Sequence, residues 1–173
     1  CAATGSESLS HEAIAATVAT ANPLYLKIAF LLILCGYSCK AEIFPLYTVG
    51  VDANFAAPSP GSALISTGLV NAGFLAVFRI YKLLAVSPVF PWVQHVLLLT
   101  GVLSLVIGAL FLRRTNNYKR FLSYSTVENM GIAAIGLGIG GIGVWAALFH
   151  VVFHTFIKSS LFLQMAVVRQ VYN

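Results

Sequence analysis

His150, His154 and Lys158 stand four residues apart in the stretch Phe149-His150-Val151-Val152-Phe153-His154-Thr155-Phe156-Ile157-Lys158, inside a longer apolar run. Four residues advance an α-helix by about 6 Å and turn it about 40° past a full turn, so the three side chains form a ladder on one face. Ionisable groups are costly inside lipid and usually serve an ion pathway there. Imidazole gains and loses a proton near neutral pH, and an amine can hold or release one, so the chemistry this spacing suits is a proton relay. The competing reading is a polar seam that only bonds neighbouring helices.

Other polar groups join the ladder by depth. Counting about 1.5 Å per residue, Glu128 lies some 12 Å from Arg120 and Lys158 about 16 Å from Arg169. An ordered series Glu128, Lys158, His154, His150 would cross much of a hydrocarbon core about 30 Å thick. Lys40, a few residues before Pro45, and Asn71, near the middle of its own apolar run, also fall near mid-depth. The alternative for Glu128 and Lys158 is a static buried ion pair.

The elements that must hold these groups are apolar. Of 173 residues, 59% are hydrophobic and 9% charged, against about 25% charged in an ordinary soluble domain. The chain reads as an all-α, polytopic transmembrane bundle. The net charge of +5 gives no nucleic-acid signature, because Arg113, Arg114, Lys119 and Arg120 account for four of ten basic residues in one short segment between apolar runs. Such a cluster predicts a cytoplasmic loop. Five spans are expected, over about 23–44, 62–82, 92–112, 121–139 and 145–168, in a single transmembrane domain. They place the amino terminus outside. Residues 6–20 read as a short interfacial helix with Ser6 or Ser8 as cap, Lys27 can snorkel, and Trp92 suits an interfacial belt.

Between the first two spans, residues 45–61 carry Pro45, Gly50, Asp52, Asn54, Pro58 and Pro60. That breaker density argues against a straight helix, so the first span is read as ending or breaking at Pro45. Gly138, Gly140 and Gly143 match a GxGxxG spacing, but no strand precedes them and both flanks are membrane helices, so the run predicts a tight turn or close helix packing. Cys35 and Cys39 read as packing residues. The chain opens on Cys1 and stops at Asn173, as its last apolar run ends; it is expected to be an internal piece of a longer protein. Nothing resembles a nucleophile with its base, a metal cage or a phosphate cradle, so no catalytic residue, cofactor site or metal site is expected in this chain.

Three ordered blocks resemble one family. Gly36-Tyr37-Ser38-Cys39-Lys40-Ala41-Glu42-Ile43-Phe44-Pro45-Leu46-Tyr47, followed by Asp52-Ala53 and Ala57-Pro58-Ser59-Pro60-Gly61-Ser62-Ala63-Leu64, is similar to a GxxxKAGxxPLHxWLPDAxxxAPxPxSAL segment. Lys119-Arg120-Phe121-Leu122-Ser123-Tyr124-Ser125-Thr126-Val127-Glu128-Asn129-Met130-Gly131-Ile132 is similar to KRxLAYSSxEHMGI, and the ladder to LHxxxHxxxKxLLFL. These are patterns of the antiporter-like membrane subunits shared by respiratory complex I, energy-converting [NiFe] hydrogenases and multisubunit cation/proton antiporters. The chain departs from them at Glu42, Tyr47, Val49-Gly50-Val51 and Asn71, the last standing where many relatives carry a second channel lysine. A neutral Asn cannot itself store a proton. Asn71 and the Ser125-Thr126-Val127-Glu128-Asn129-Met130 run look most like the formate hydrogenlyase or hydrogenase-4 branch.

The resemblance implies an inverted-repeat antiporter-like fold with a broken helix, and a pathway through Lys40, Glu128, His150, His154 and Lys158, with Asn71 and Glu42 as secondary candidates. It implies a proton-translocating subunit of a redox-driven complex, NADH-quinone oxidoreductase-like or hydrogenase-like, whose redox cofactors sit in partner membrane and peripheral subunits. The alternatives are a subunit of a cation/proton antiporter without redox coupling, in which Na+ is the second ion, and a non-conducting structural subunit. The compartment implied is a prokaryotic inner membrane.

Overall fold

The computed structural model describes residues 14, 15 and 17–172. Most of the expected interfacial helix over residues 6–20 lies outside the described residues; within them a 3-10 turn covers Val18–Thr20. Six helices follow: α1 (Pro23–Ala41), α2 (Tyr47–Ala56), α3 (Ser59–Leu84), α4 (Phe90–Leu112), α5 (Tyr118–Ile139) and α6 (Ile142–Tyr172). No strand occurs among the described residues.

Helices α1, α3, α4 and the 142–168 part of α6 are long and apolar enough to cross a membrane. Helix α5, at 22 residues, has the length, about 33 Å, but Ser123, Ser125, Thr126, Glu128 and Asn129 make it less apolar. It is shielded by packing between α4 and α6. Cap chemistry explains where the helices start. Asn22 accepts from the Leu24 amide at 3.0 Å ahead of Pro23, and Asn117 accepts from the amides of Lys119 and Arg120 at the start of α5.

The first span breaks as the prolines require, although earlier than expected. Helix α1 ends at Ala41, and Glu42 takes a left-handed conformation with φ 53°. The amides freed by the break find interior partners: Ile43 donates to the Ser38 carbonyl at 3.2 Å, Phe44 to Ser104 Oγ at 2.8 Å and Leu46 to Ser38 Oγ at 3.3 Å. Non-helical backbone inside a membrane protein survives only when satisfied in this way.

The 45–61 stretch is more helical than its composition suggests. Residues 47–56 form α2 because the flanking prolines, Pro45 and Pro58, stand just outside it, and α3 begins at Ser59 because Pro60 occupies a first-turn position where its missing N–H costs nothing. Helix α3 carries a π-helical segment over Ile65–Leu69, which turns Ser66 and Thr67 into the interior.

Small residues bring the helices together. A Cβ on Gly101 would lie 2.7 Å from the Gly131 carbonyl, and one on Gly131 would lie 2.8 Å from the Gly101 carbonyl, so α4 and α5 meet backbone to backbone. Gly73 allows the same approach of α3 to the backbone of Lys40 and Ala41. The glycine run makes the predicted turn: Gly140 and Gly141, with φ 73° and 52°, reverse the chain between α5 and α6, and Gly136 packs on Gly143 beside it. Trp92 sits with Lys27, whose ammonium lies 5.5 Å from the ring centroid.

Candidate functional site

The ladder forms as its spacing predicts. On α6, His154 and Lys158 are buried, 4% and 2% exposed, and His150 is half-buried. The helix turns Phe149, Val152 and Phe156 outward, and the exposed Phe153 and Ile157 border the cavity that the ladder lines. With Ser125 and Asn129 of α5, the three ladder residues line a cavity of about 130 Å³. A larger groove of about 750 Å³, beside Phe55, Asn117 and Lys119, contains no ladder residue.

The cavity's polar atoms are incompletely matched. Lys158 Nζ donates to the Leu122 carbonyl at 2.7 Å, whereas His150 Nε2 and both ring nitrogens of His154 are buried without a hydrogen-bond partner. Buried polar groups are normally paired, which makes this cluster the leading candidate for a functional place.

Glu128 and Lys158 interact electrostatically but form no ion pair within 4.0 Å among the described residues. Glu128 is half-buried, with its Cβ and backbone against the surface of Gly108 on α4. The static ion pair considered from the sequence is therefore not what holds α5 to α6.

Lys40 lies apart from the ladder. It is exposed, because Leu26, Phe30, Leu34, Ser38 and Ala41 set the inward stripe of α1 and Lys40, two residues from Ser38, is turned about 200° away from it. The structure does not bring Lys40 to the ladder. Glu42 turns inward instead. It is 1% exposed, receives a hydrogen bond on Oε1 from Asn54 Nδ2 at 2.6 Å, and keeps Oε2 buried without a partner. Gly50 on α2 makes the room, since a Cβ there would overlap the Glu42 side chain.

Asn71 is half-buried and donates to Thr155 Oγ1 at 2.7 Å, tying α3 to the ladder helix one residue from His154. Ser66, in the π segment, shares a 2.8 Å hydrogen bond with Thr126, whose Oγ1 donates to the same Leu122 carbonyl that Lys158 uses. Sequence reasoning passed over Asn54, Ser66 and Thr126. For Asn54 and Ser66 the available signal was a polar residue beside a break in helical regularity; Thr126, in the middle of α5, had none. At the other end, Lys119 donates to the carbonyls of Phe55 and Ala57, and Arg120 pairs with Asp52 at 3.6 Å, so the basic segment grips the end of α2. Among the described residues no group of three His, Cys, Asp or Glu side chains could hold a metal.

This constellation matches known membrane proteins. The family model described as "NADH:quinone oxidoreductase/Mrp antiporter, TM" matches residues 2–172. A "Hydrogenase-4 component F homolog" of Methylacidiphilum infernorum is 34% identical over 83% of this chain, which spans 30% of that protein. The chloroplastic "NAD(P)H-quinone oxidoreductase subunit 5" of Ranunculus macranthus is 34% identical over 82% of the chain and 19% of its own length. A chain in the solved structure of the Mrp complex from Dietzia sp. DQ12-45-1b superposes with TM-score 0.77 at 30% identity, covering 87% of this chain and 16% of that one. The apolar helices, the broken first span and the ladder thus place the chain in the NADH:quinone oxidoreductase/Mrp antiporter family of integral membrane subunits.

Proposed function

We propose that the chain belongs to a proton-translocating membrane subunit of a redox-driven complex, NADH-quinone oxidoreductase-like or hydrogenase-like, with its redox cofactors in partner subunits. The observation that carries this reading is the buried ladder His150, His154, Lys158 around one cavity, with unpartnered imidazole nitrogens beside the lysine. A proton moves along such a row when each group in turn accepts and releases it, and a cavity of this size suits water bridging between them. Glu128 stands within electrostatic reach of one end of the row. Lys40, on the opposite side of α1, serves a pathway facing away from the ladder.

The second reading, a cation/proton antiporter subunit without redox coupling, draws on the likeness to the Mrp complex chain. Proteoliposomes carrying the purified native complex separate the two. Proton movement started by an electron donor supports redox coupling; movement started by a Na+ gradient with no electron transfer supports antiport.

We propose five crossings in a prokaryotic inner membrane, with the amino-terminal end outside and the 113–120 segment cytoplasmic; the cluster of Arg113, Arg114, Lys119 and Arg120 supports that orientation. Labelling a cysteine placed at Asn116 with an impermeant thiol reagent on intact cells tests this. Protection is expected, and modification from outside overturns the orientation.

A further inference from the structure

Glu42 is the one acidic side chain at the α1–α2 break, and its surroundings are those of a working group rather than a structural one. Its carboxylate is held by Asn54 on one oxygen only, and that Asn is itself 0% exposed with Oδ1 unpartnered. A carboxylate kept for structure would normally have both oxygens bonded, because a buried unmatched polar atom costs stability. Gly50 keeps the space opposite the side chain open, and the left-handed backbone at residue 42, uncommon for a residue other than Gly, Asn or Asp, aims it inward while Lys40 is turned out. The charged group within electrostatic reach of Glu42 is Lys158, which Glu128 also reaches.

Resting on the proton-relay reading above, we infer that Glu42 is the proton-holding group that joins the broken helix to the ladder, exchanging its proton with Lys158. No ion pair within 4.0 Å joins Glu42 to Lys158 among the described residues, so in the forward step the Glu42 carboxylic acid gives its proton to a bridging water, which passes one on to the neutral Lys158 amine, leaving a carboxylate and an ammonium. In the reverse step the ammonium returns it. Lys158 can then pass the proton to His154, one helical turn along α6, through the cavity they both line. A break in a helix at this depth is where irregular backbone and an ionisable side chain can coexist, since both are covered by protein.

The test uses the assembled native complex in proteoliposomes. Glu42→Gln preserves size and still accepts the Asn54 hydrogen bond, so subunit content and uncoupled turnover should be unchanged. Proton translocation should fall by about 10²-fold, the scale on which removing a positioned acid–base group slows a proton transfer. Glu42→Asp restores the acid with a shorter reach and should recover part of the loss. Infrared difference spectra of the native complex during turnover should contain a protonated-carboxyl band that Glu42→Gln removes. Full translocation by an assembled Glu42→Gln complex overturns the inference, as does equal loss of assembly in the Gln and Asp variants, which would make Glu42 structural. Lys158→Met distinguishes the levels: if it abolishes translocation while Glu42→Gln does not, only the Glu42 inference fails, and if neither has an effect the relay reading fails with it.

Discussion

The seam between α4 and α5 and the polar interior between the α1–α2 break and α6 are built from opposite materials. In the seam, Gly101, Gly108 and Gly131 let one helix rest on the other's backbone. Close contact and small side chains supply the association energy there. In the polar interior, Glu42, Asn54, Asn71, His150 and His154 all keep a buried nitrogen or oxygen without a partner. Unmatched buried atoms cost a membrane bundle stability, so the seam reads as framework and the polar interior as the candidate working region.

The largest expected effect comes from breaking the seam. Gly101→Leu forces a side chain into the Gly131 carbonyl and Ile135, an overpacking that costs about 3 kcal/mol. The yield of assembled complex and its melting temperature in detergent should both drop sharply. An unchanged melting temperature would show that the two helices can separate without cost.

A smaller effect sharpens the other side of the comparison. Asn71→Ala removes the 2.7 Å hydrogen bond to Thr155 and should cost about 1 kcal/mol, read as a modest fall in melting temperature. A loss as large as that of Gly101→Leu would make Asn71 part of the assembling framework. The smallest effect is expected at Asp52→Asn. Its pairing with Arg120 at 3.6 Å has side chains 71% and 45% exposed, and such a pair contributes under about 0.5 kcal/mol. A melting shift comparable to that of Asn71→Ala would mean that the grip of the basic segment on α2 is stronger than an exposed ion pair.

The two regions were not equally legible in the sequence. The ladder was, because His150, His154 and Lys158 repeat at the helical period and a single helix fixes their common face. The glycine turn was legible for a similar local reason. The side to which Lys40 points was not legible, because its depth follows from counting along α1, whereas its direction depends on which stripe packs inward, and that is set by α3 approaching at Gly73. Glu42 stood as a secondary candidate because the resembled motif has a small residue there; its hydrogen bond with Asn54 forms only on folding. Helix α2 was obscured by Gly50, Asp52 and Asn54, which lower helix propensity but are outweighed by packing against α5 and α1. The Ser66–Thr126 pairing joins residues far apart in the chain and leaves no local pattern to read.

The central claim is that the polar interior moves protons and does not merely pack helices. Lys158→Met tests it most directly, because Met keeps the length and apolar packing of the side chain while removing the group that carries the proton. The measurement is proton translocation per turnover by the assembled complex in sealed proteoliposomes. Translocation should be lost, with subunit content intact and turnover retained once the membrane is uncoupled. Translocation equal to that of the native complex would contradict the account and leave the ladder as a polar seam.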